Sequence, residues 1–306
     1  MGEIVFAGVT DTRVRPSGST ALGRGIFLCD RTGTITKIAV PGEPEPYGGA
    51  FDDVTAPMIN DLGDIAFQGR LRGQECDADV EQRACGTGVY VKHRGKPLKY
   101  VTGPGLVLSD YNRLLSVGAP ALNNRGEIVY CGELEPRSAA GHPAKISGVF
   151  VYSNGRVRNI ALPRDVMPDG RKIATVNPSK SAAGFSLNNR GDVIFSAALQ
   201  NGTCGMYAWS NGILHPVLGT GTMIPNVGTV GGNATCYLEE VLNDKGQIFF
   251  SSELTDGRTV LMLASPPEVK RRGVLLERHV DHFEAEPLRR QCRHWIRRLA
   301  RPRLIR

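Results

Sequence analysis

Short runs of alternating apolar and polar residues, bounded by glycine, asparagine or proline, recur along most of the chain. A period of two is that of a half-buried β-strand. Read from an asparagine, one unit runs Asn60-Asp61-Leu62-Gly63-Asp64-Ile65-Ala66-Phe67 and the next Asn123-Asn124-Arg125-Gly126-Glu127-Ile128-Val129-Tyr130. It returns at Asn188-Asn189-Arg190-Gly191-Asp192-Val193-Ile194-Phe195 and Asn243-Asp244-Lys245-Gly246-Gln247-Ile248-Phe249-Phe250, and a copy without its asparagine opens the chain at Gly2-Glu3-Ile4-Val5-Phe6. The glycines stand 61, 63, 65 and 55 residues apart, and Leu71, Leu134, Leu199 and Leu254 each follow their glycine by eight. The pattern predicts a tight turn feeding a strand: the Asn side chain bonds backbone two residues on, and the Gly takes the positive φ.

A second hairpin follows in each unit. Gly25-Ile26-Phe27-Leu28, Gly88-Val89-Tyr90-Val91, Gly148-Val149-Phe150-Val151 and Gly205-Met206-Tyr207-Ala208 run into turns at Thr32-Gly33, Arg94-Gly95, Asn154-Gly155 and Asn211-Gly212. Another apolar strand comes after each turn, and an extended stretch such as Phe51 to Ile59 precedes each asparagine, which makes four strands per unit. Such units, each with a face it cannot bury alone, stack most simply around an axis. The expected fold is all-β, a β-propeller of about five four-stranded blades over residues 1–265, with a pair of β-sandwiches as the alternative. Residues 266–306 form a separate basic tail.

The Asn-x-x-Gly-x-(Ile/Val)-x-(Phe/Tyr) repeats resemble those of the bacterial tandem-repeat proteins called choice-of-anchor, NxxGxxAF-containing, and more distantly the blades of TolB-like propellers. Only Ala66-Phe67 keeps the literal Ala-Phe pair. The resemblance implies a repeat β-propeller without an established activity, exported and anchored at the cell surface. It also implies that the innermost strand precedes the asparagine. On that phase the first blade lacks its inner strand and the last its outer one, so the propeller is expected to be incomplete at its ends, or else closed by a tail strand such as Val274 to Val280.

In an up-and-down blade the tight glycine turns lie at one end and the remaining connections at the other. Residues 10–24, 41–50, 72–87, 102–113, 135–147, 163–181 and 219–234 therefore share one face, and loops held by a rigid scaffold are where binding resides. Candidate binding residues there are Asp52, Asp53, Asp77, Asp79, Asp165 and Asp169. Cys76 and Cys85 flank eight residues of one loop and are a candidate disulfide; Cys204 with Cys236 is a second possibility, while Cys29 and Cys131 read as buried small apolar residues.

Composition alters the picture mainly at the carboxyl end. The 306 residues carry 37 Lys or Arg against 30 Asp or Glu, a net charge of +7, but twelve of the basic and four of the acidic residues lie between Val269 and Arg306. The first 268 residues hold 25 basic and 26 acidic and are neutral, so only the tail speaks for an anionic partner. After Pro287, Leu288, Cys292, Trp295 and Leu299 recur at helical spacing among arginines, which predicts a basic amphipathic helix within Arg289 to Arg306 suited to an anionic membrane or nucleic acid.

Catalytic and metal motifs are missing. Asp77, Asp79 and Glu81 alternate as in a calcium loop, but Gln82 stands where that loop needs glycine. His279, His282, Cys292 and His294 do not have a zinc spacing. There is no Gly-x-Ser-x-Gly, His-Glu-x-x-His or phosphate-binding glycine loop. No metal or cofactor is expected. The reading is a non-enzymatic interaction scaffold, secreted or on the cell surface in its full-length form, binding a protein or glycan on the long-loop face. The competing reading is a propeller hydrolase or lyase that pairs loop carboxylates across the mouth.

Overall fold

In the computed structural model the described residues are 2–14, 20–46, 48–71, 87–106, 114–134, 146–176, 185–231 and 241–266. The tail, with its expected helix and the Val274 to Val280 strand, lies outside them. All regular structure among the described residues is β. The first sheet orders β1 (Ile4–Val14), β2 (Thr20–Cys29) and β3 (Ile35–Ala39), and the second β4 (Phe51–Ile59), β5 (Ile65–Leu71), β6 (Thr87–Lys92) and β7 (Leu98–Thr102). In the third, β8 (Leu114–Val117) and β9 (Ala121–Leu122) both pair with β10 (Ile128–Leu134), followed by β11 (Ile146–Ser153) and β12 (Arg156–Ala161). The fourth repeats this with β13 (Ile173–Val176), β14 (Phe185–Leu187), β15 (Val193–Leu199), β16 (Cys204–Ser210) and β17 (Ile213–Gly219). A two-stranded ribbon of β18 (Met223–Ile224) and β19 (Gly228–Thr229) leads to the fifth sheet, β20 (Val241–Leu242), β21 (Ile248–Glu253) and β22 (Thr259–Ala264). Every strand pair is antiparallel and every sheet a meander.

Successive sheets pack face to face. In β10, Ile128 and Tyr130 point to the second sheet, joining Ala66, Val89 and Val91 in one cluster, while Val129 and Cys131 point to the fourth, joining Phe195 and Tyr207. Both faces are covered, so the strand runs buried and without a charge from Ile128 to Gly132 and is not strictly alternating. The same arrangement joins first to second and fourth to fifth.

Each of the first four sheets carries an aromatic pair across the strand after its motif glycine and the strand that follows: Phe6 opposite Phe27, Phe67 opposite Tyr90, Tyr130 opposite Phe150, Phe195 opposite Tyr207. The ring centroids lie 5.7, 5.6, 5.5 and 5.9 Å apart. Two residues along, the opposed residues are Gly8 and Gly25, Gly69 and Gly88, Gly132 and Gly148, Ala197 and Gly205. The rings lie over these small residues. A Cβ on Gly69, Gly132 or Gly205 stands 2.9 Å from a ring carbon of Tyr90, Phe150 or Tyr207.

The asparagine turns hold the stack along one end. Asn188 Oδ1 accepts from the backbone N–H of Arg190 at 3.0 Å and of Asp192 at 2.9 Å, closing its own turn. Asn60, Asn123 and Asn243 do the same in theirs. The Nδ2 then crosses to the next unit: Asn60 donates to the Asn123 carbonyl at 3.0 Å, Asn123 to that of Asn188 at 3.0 Å, and Asn188 to that of Asn243 at 3.1 Å. One residue on, the N–H of Asp61, Asn124 and Asn189 donates to Oδ1 of Asn124, Asn189 and Asp244 at 2.8, 2.7 and 2.8 Å. Turns 55 to 65 residues apart in sequence thus touch in order.

Two stability outcomes are expected. Asn188 is buried and Asn243 exposed, so Asn188→Ala should cost about 1–3 kcal/mol, the penalty of orphaned buried backbone groups, and Asn243→Ala clearly less because water replaces the amide. Equal losses in urea unfolding would contradict this account of the turns. For the glycine rungs, Gly132→Ala places a methyl 2.4 Å from Leu114 Cδ1 and should destabilise by about 1–3 kcal/mol. Gly118→Ala, whose Cβ makes ordinary contact at 3.5 Å, should stay within about 0.5 kcal/mol.

Candidate functional site

The end of the sheets opposite the asparagine turns carries the connections from one sheet to the next, and these share one conformation. Gly42 N–H donates to Phe51 O, Gly105 to Leu114 O, Arg164 to Ile173 O and Gly221 to Val230 O, at 2.8 to 3.0 Å. In return the N–H of Phe51, Leu114, Ile173 and Val230 donates to Glu43, Leu106, Asp165 and Thr222 O. Each opens with a three-residue bond, Glu43 N–H to Val40 O, Leu106 to Gly103 O, Asp165 to Leu162 O and Thr222 to Gly219 O. The third turn residue has a left-handed φ, 87° at Gly42, 90° at Gly105, 77° at Arg164 and 84° at Gly221.

The first, third and fourth connections are therefore repeated hairpins, and the second shares their closing bonds at Gly105, Leu106 and Leu114; each is pinned by a buried apolar residue, Phe51, Leu114, Ile173 or Val230. The sequence signal for them is Pro41-Gly42, Pro104-Gly105 and Pro163-Arg164, with Thr220-Gly221 in the last copy. Proline presets the first turn position and glycine supplies the second. Reading these stretches only as long loops passes over that signal. The stretch 10–24 needs correction: β1 and β2 run on through it, with Asp11 opposite Gly23 and Val14 opposite Thr20, so a long strand hairpin replaces most of the expected loop.

The candidate acids in this region are each held by a neighbour. Asp52 and Asp53 are successive residues of β4 at a break in its register, where Phe51 lies opposite Leu71 and Asp53 opposite Arg70 with Asp52 left between. Asp53 is buried and takes Arg24 of the first sheet at 2.6 Å, while Asp52 takes Arg70 of its own sheet at 2.7 Å. Asp165 Oδ2 accepts from the Leu162 N–H at 2.7 Å, the task that Glu43 performs for Val40 and Thr222 for Gly219. Asp169 pairs with Arg171 at 2.6 Å and receives the Tyr207 hydroxyl at 3.3 Å. Burial works to raise the Asp169 pKa, but hydrogen bonds and charge from Arg171 outweigh it and hold the group below the usual carboxylate value. Burial pushes the Tyr207 hydroxyl up to about 12, with Arg171 opposing and Asp169 adding to the rise. Asp77, Asp79, Cys76 and Cys85 lie outside the described residues.

At the residue after each turn the hairpins show apolar side chains to solvent: Pro44 in the first, Val166 in the third at 61% exposure and Met223 in the fourth at 76%. The next residue is buried each time, Glu45, Met167 or Ile224. The hairpin crossings are closed by backbone contacts from Pro44 to Ala50, Val166 to Lys172 and Met223 to Thr229. Among the described residues no group of three or more His, Cys, Asp or Glu could hold a metal ion. Cys204 is disulfide-bonded; Cys131 is buried and Cys29 half-buried. Cys236 lies outside the described residues. His93, at the opposite end, pairs with Asp64 at 3.1 Å.

The lowered Asp169 pKa sets a pH response. A carboxylate with a folded pKa below its unfolded one contributes stability that is present above the unfolded value, 3.8, and is lost as pH falls through the folded value. Wild type should be more stable than Asp169→Asn at neutral pH, and the gap should close on acidification below pH 3.8. A gap in urea midpoints that stays constant down to full protonation would rule out the Asp169 to Arg171 pair as its source.

Among solved structures, a protein of unknown function from Dyadobacter fermentans is similar at 12% identity, over 86% of this chain and 76% of that one, with a TM-score of 0.41. A gluconolactonase from Xanthomonas campestris is similar at 18% identity, over 84% of this chain and 72% of that one, with a TM-score of 0.31. The β-propeller domain of the Trilobed protease from Pyrococcus furiosus is similar at 9% identity, over 85% and 83%, with a TM-score of 0.34. No curated protein matches the chain. None of these likenesses carries a substrate or a reaction to this chain. The chain belongs to a family of unknown function, DUF7453, whose model matches residues 1–260.

Proposed function

We propose that the protein is a non-enzymatic interaction scaffold of the β-propeller type, whose sheets are blades and whose repeated hairpins present the binding surface. The observation that carries this reading is the set of exposed apolar tips, Pro44, Val166 and Met223, at one position of the first, third and fourth hairpins. Their backbones are held by the same set of hydrogen bonds. A surface already ordered in the free protein loses little entropy on binding, and apolar tips gain from leaving water. The carboxylates that a hydrolase or lyase would use are committed elsewhere: Asp52, Asp53 and Asp169 to arginines and Asp165 to a turn N–H. A protein or a glycan fits such a surface, the latter through stacking of sugar faces on apolar groups. The disulfide at Cys204 supports a home in an oxidising compartment outside the cytoplasm, which agrees with the resemblance to exported repeat proteins.

The test is a glycan array and a displayed peptide library probed with wild type and with the Val166→Asp, Met223→Asp double variant. Both substitutions are at exposed positions and should leave the unfolding midpoint unchanged. A ligand selected by wild type should bind the double variant at least about tenfold more weakly, the effect of losing contact anchors. Turnover of a sugar lactone or polysaccharide by wild type, abolished in Asp169→Asn, would overturn the scaffold reading in favour of the enzyme.

A further inference from the structure

Every contact between sheets joins two unlike faces. The second and fourth residues after each motif glycine, such as Ile128 and Tyr130, pack on the preceding sheet. The third, Ala66, Val129 or Ile194, packs on the following sheet and is 0% exposed. The fifth and first sheets break this rule in opposite senses. Phe249, the third residue in the fifth sheet, is 40% exposed, with Leu263 opposite it at 45% and Leu261 at 54%. In the first sheet Ile4 is 63% exposed where its counterparts Ile65, Ile128, Val193 and Ile248 are at most 5%. Ile35, on the same rung with Cys29 between them, is 60% exposed, and the Phe6 and Phe27 rings are only half-buried.

The edges agree with the faces. Among the described residues β22 pairs only with β21 and β1 only with β2, whereas their counterparts in the second, third and fourth sheets pair on both sides. The turn ladder also stops here: Asn243 Nδ2 donates within its own turn to Gln247 and, unlike Asn60, Asn123 and Asn188, reaches no further turn among the described residues.

We propose that these two faces mate between copies of this chain. The Phe249, Leu261 and Leu263 face of one copy packs on the Ile4, Phe27 and Ile35 face of the next. The argument for a second copy is continuity with the contact already inside the molecule. The chain makes this joint four times, always with the third-residue face of one sheet against the second- and fourth-residue face of the next, and its outer sheets present one half each. Joining unlike faces is a heterologous contact, so each added copy renews the face it covers, and assembly grows as a ring or a filament. Apolar side chains at this exposure on a sheet face gain from such burial, and unpaired edge strands beside them favour pairing.

Sedimentation velocity on the full chain, with Phe249→Glu and Ile4→Glu as single variants, tests this. Wild type should gain mass with concentration, and each variant should associate at least about tenfold more weakly and remain monomeric where wild type does not. Mixed together the two variants should form a 1:1 pair that grows no further, because Phe249→Glu keeps its first-sheet face and Ile4→Glu its fifth-sheet face. Wild type that stays monomeric at every concentration would overturn the proposal, since the faces are then covered within one chain or reserved for another protein. Self-association of Ile4→Glu alone would overturn it too, by showing that the fifth-sheet face pairs with itself. Circular dichroism and the unfolding midpoint check that each variant folds; Ile35→Lys and Leu263→Lys replace one that does not.

Discussion

The asparagine that opens each of the turns at Asn60, Asn123 and Asn188 does two jobs with one amide. Its oxygen accepts the two N–H groups that the turn leaves unpaired, and its nitrogen donates to the carbonyl of the same residue one unit on. Aspartate satisfies the first requirement and fails the second, having no donor. That explains Asn60, Asn123 and Asn188, whose amides all reach the next turn, whereas the position after the asparagine alternates between Asp61, Asn124, Asn189 and Asp244. At that next position an oxygen suffices to accept from the neighbouring turn. Four residues after the asparagine, an acceptor again suffices, and Asp64, Glu127, Asp192 and Gln247 fill the place. Once the turns are locked in order, the sheets that grow from them can stack only in sequence.

Stacking in sequence has a packing cost that the glycine rungs remove. A strand covered on both faces must place a large ring on one side without pushing the next sheet away. The rings of Tyr90, Phe150 and Tyr207 achieve this by lying along the sheet over residues with no side chain. The paired glycines therefore belong to the same device as the aromatics, and their spacing of two residues is the pleat period. The opposite end of the sheets is freed for variation: its hairpins keep their backbone while their tips differ, as Pro44, Val166 and Met223 do.

Much of this could be read along the chain. The Asn-x-x-Gly turns, the strands that follow them and the second hairpin of each unit rest on local rules, period two and turn chemistry, and the residues that obey them are neighbours in sequence. The hairpins between sheets were also written locally, in Pro41-Gly42 and Pro104-Gly105, but the degenerate copies Pro163-Arg164 and Thr220-Gly221 hide the repeat from a motif search. The candidate acids were the least legible. Asp52, Asp53, Asp165 and Asp169 look alike as exposed loop carboxylates, and what separates them is the partner each meets. Arg24 lies in another sheet from Asp53, and Tyr207 lies 38 residues from Asp169.

By itself the sequence determined the kind of unit, its strands and its turns, because alternation and backbone preference act over a few residues. The tertiary structure alone decided which amide reaches which carbonyl, which carboxylates are spent on arginines, and which apolar faces are left open at Ile4 and Phe249. Those depend on distances between units some sixty residues apart, and no local rule fixes the placing of one unit against the next.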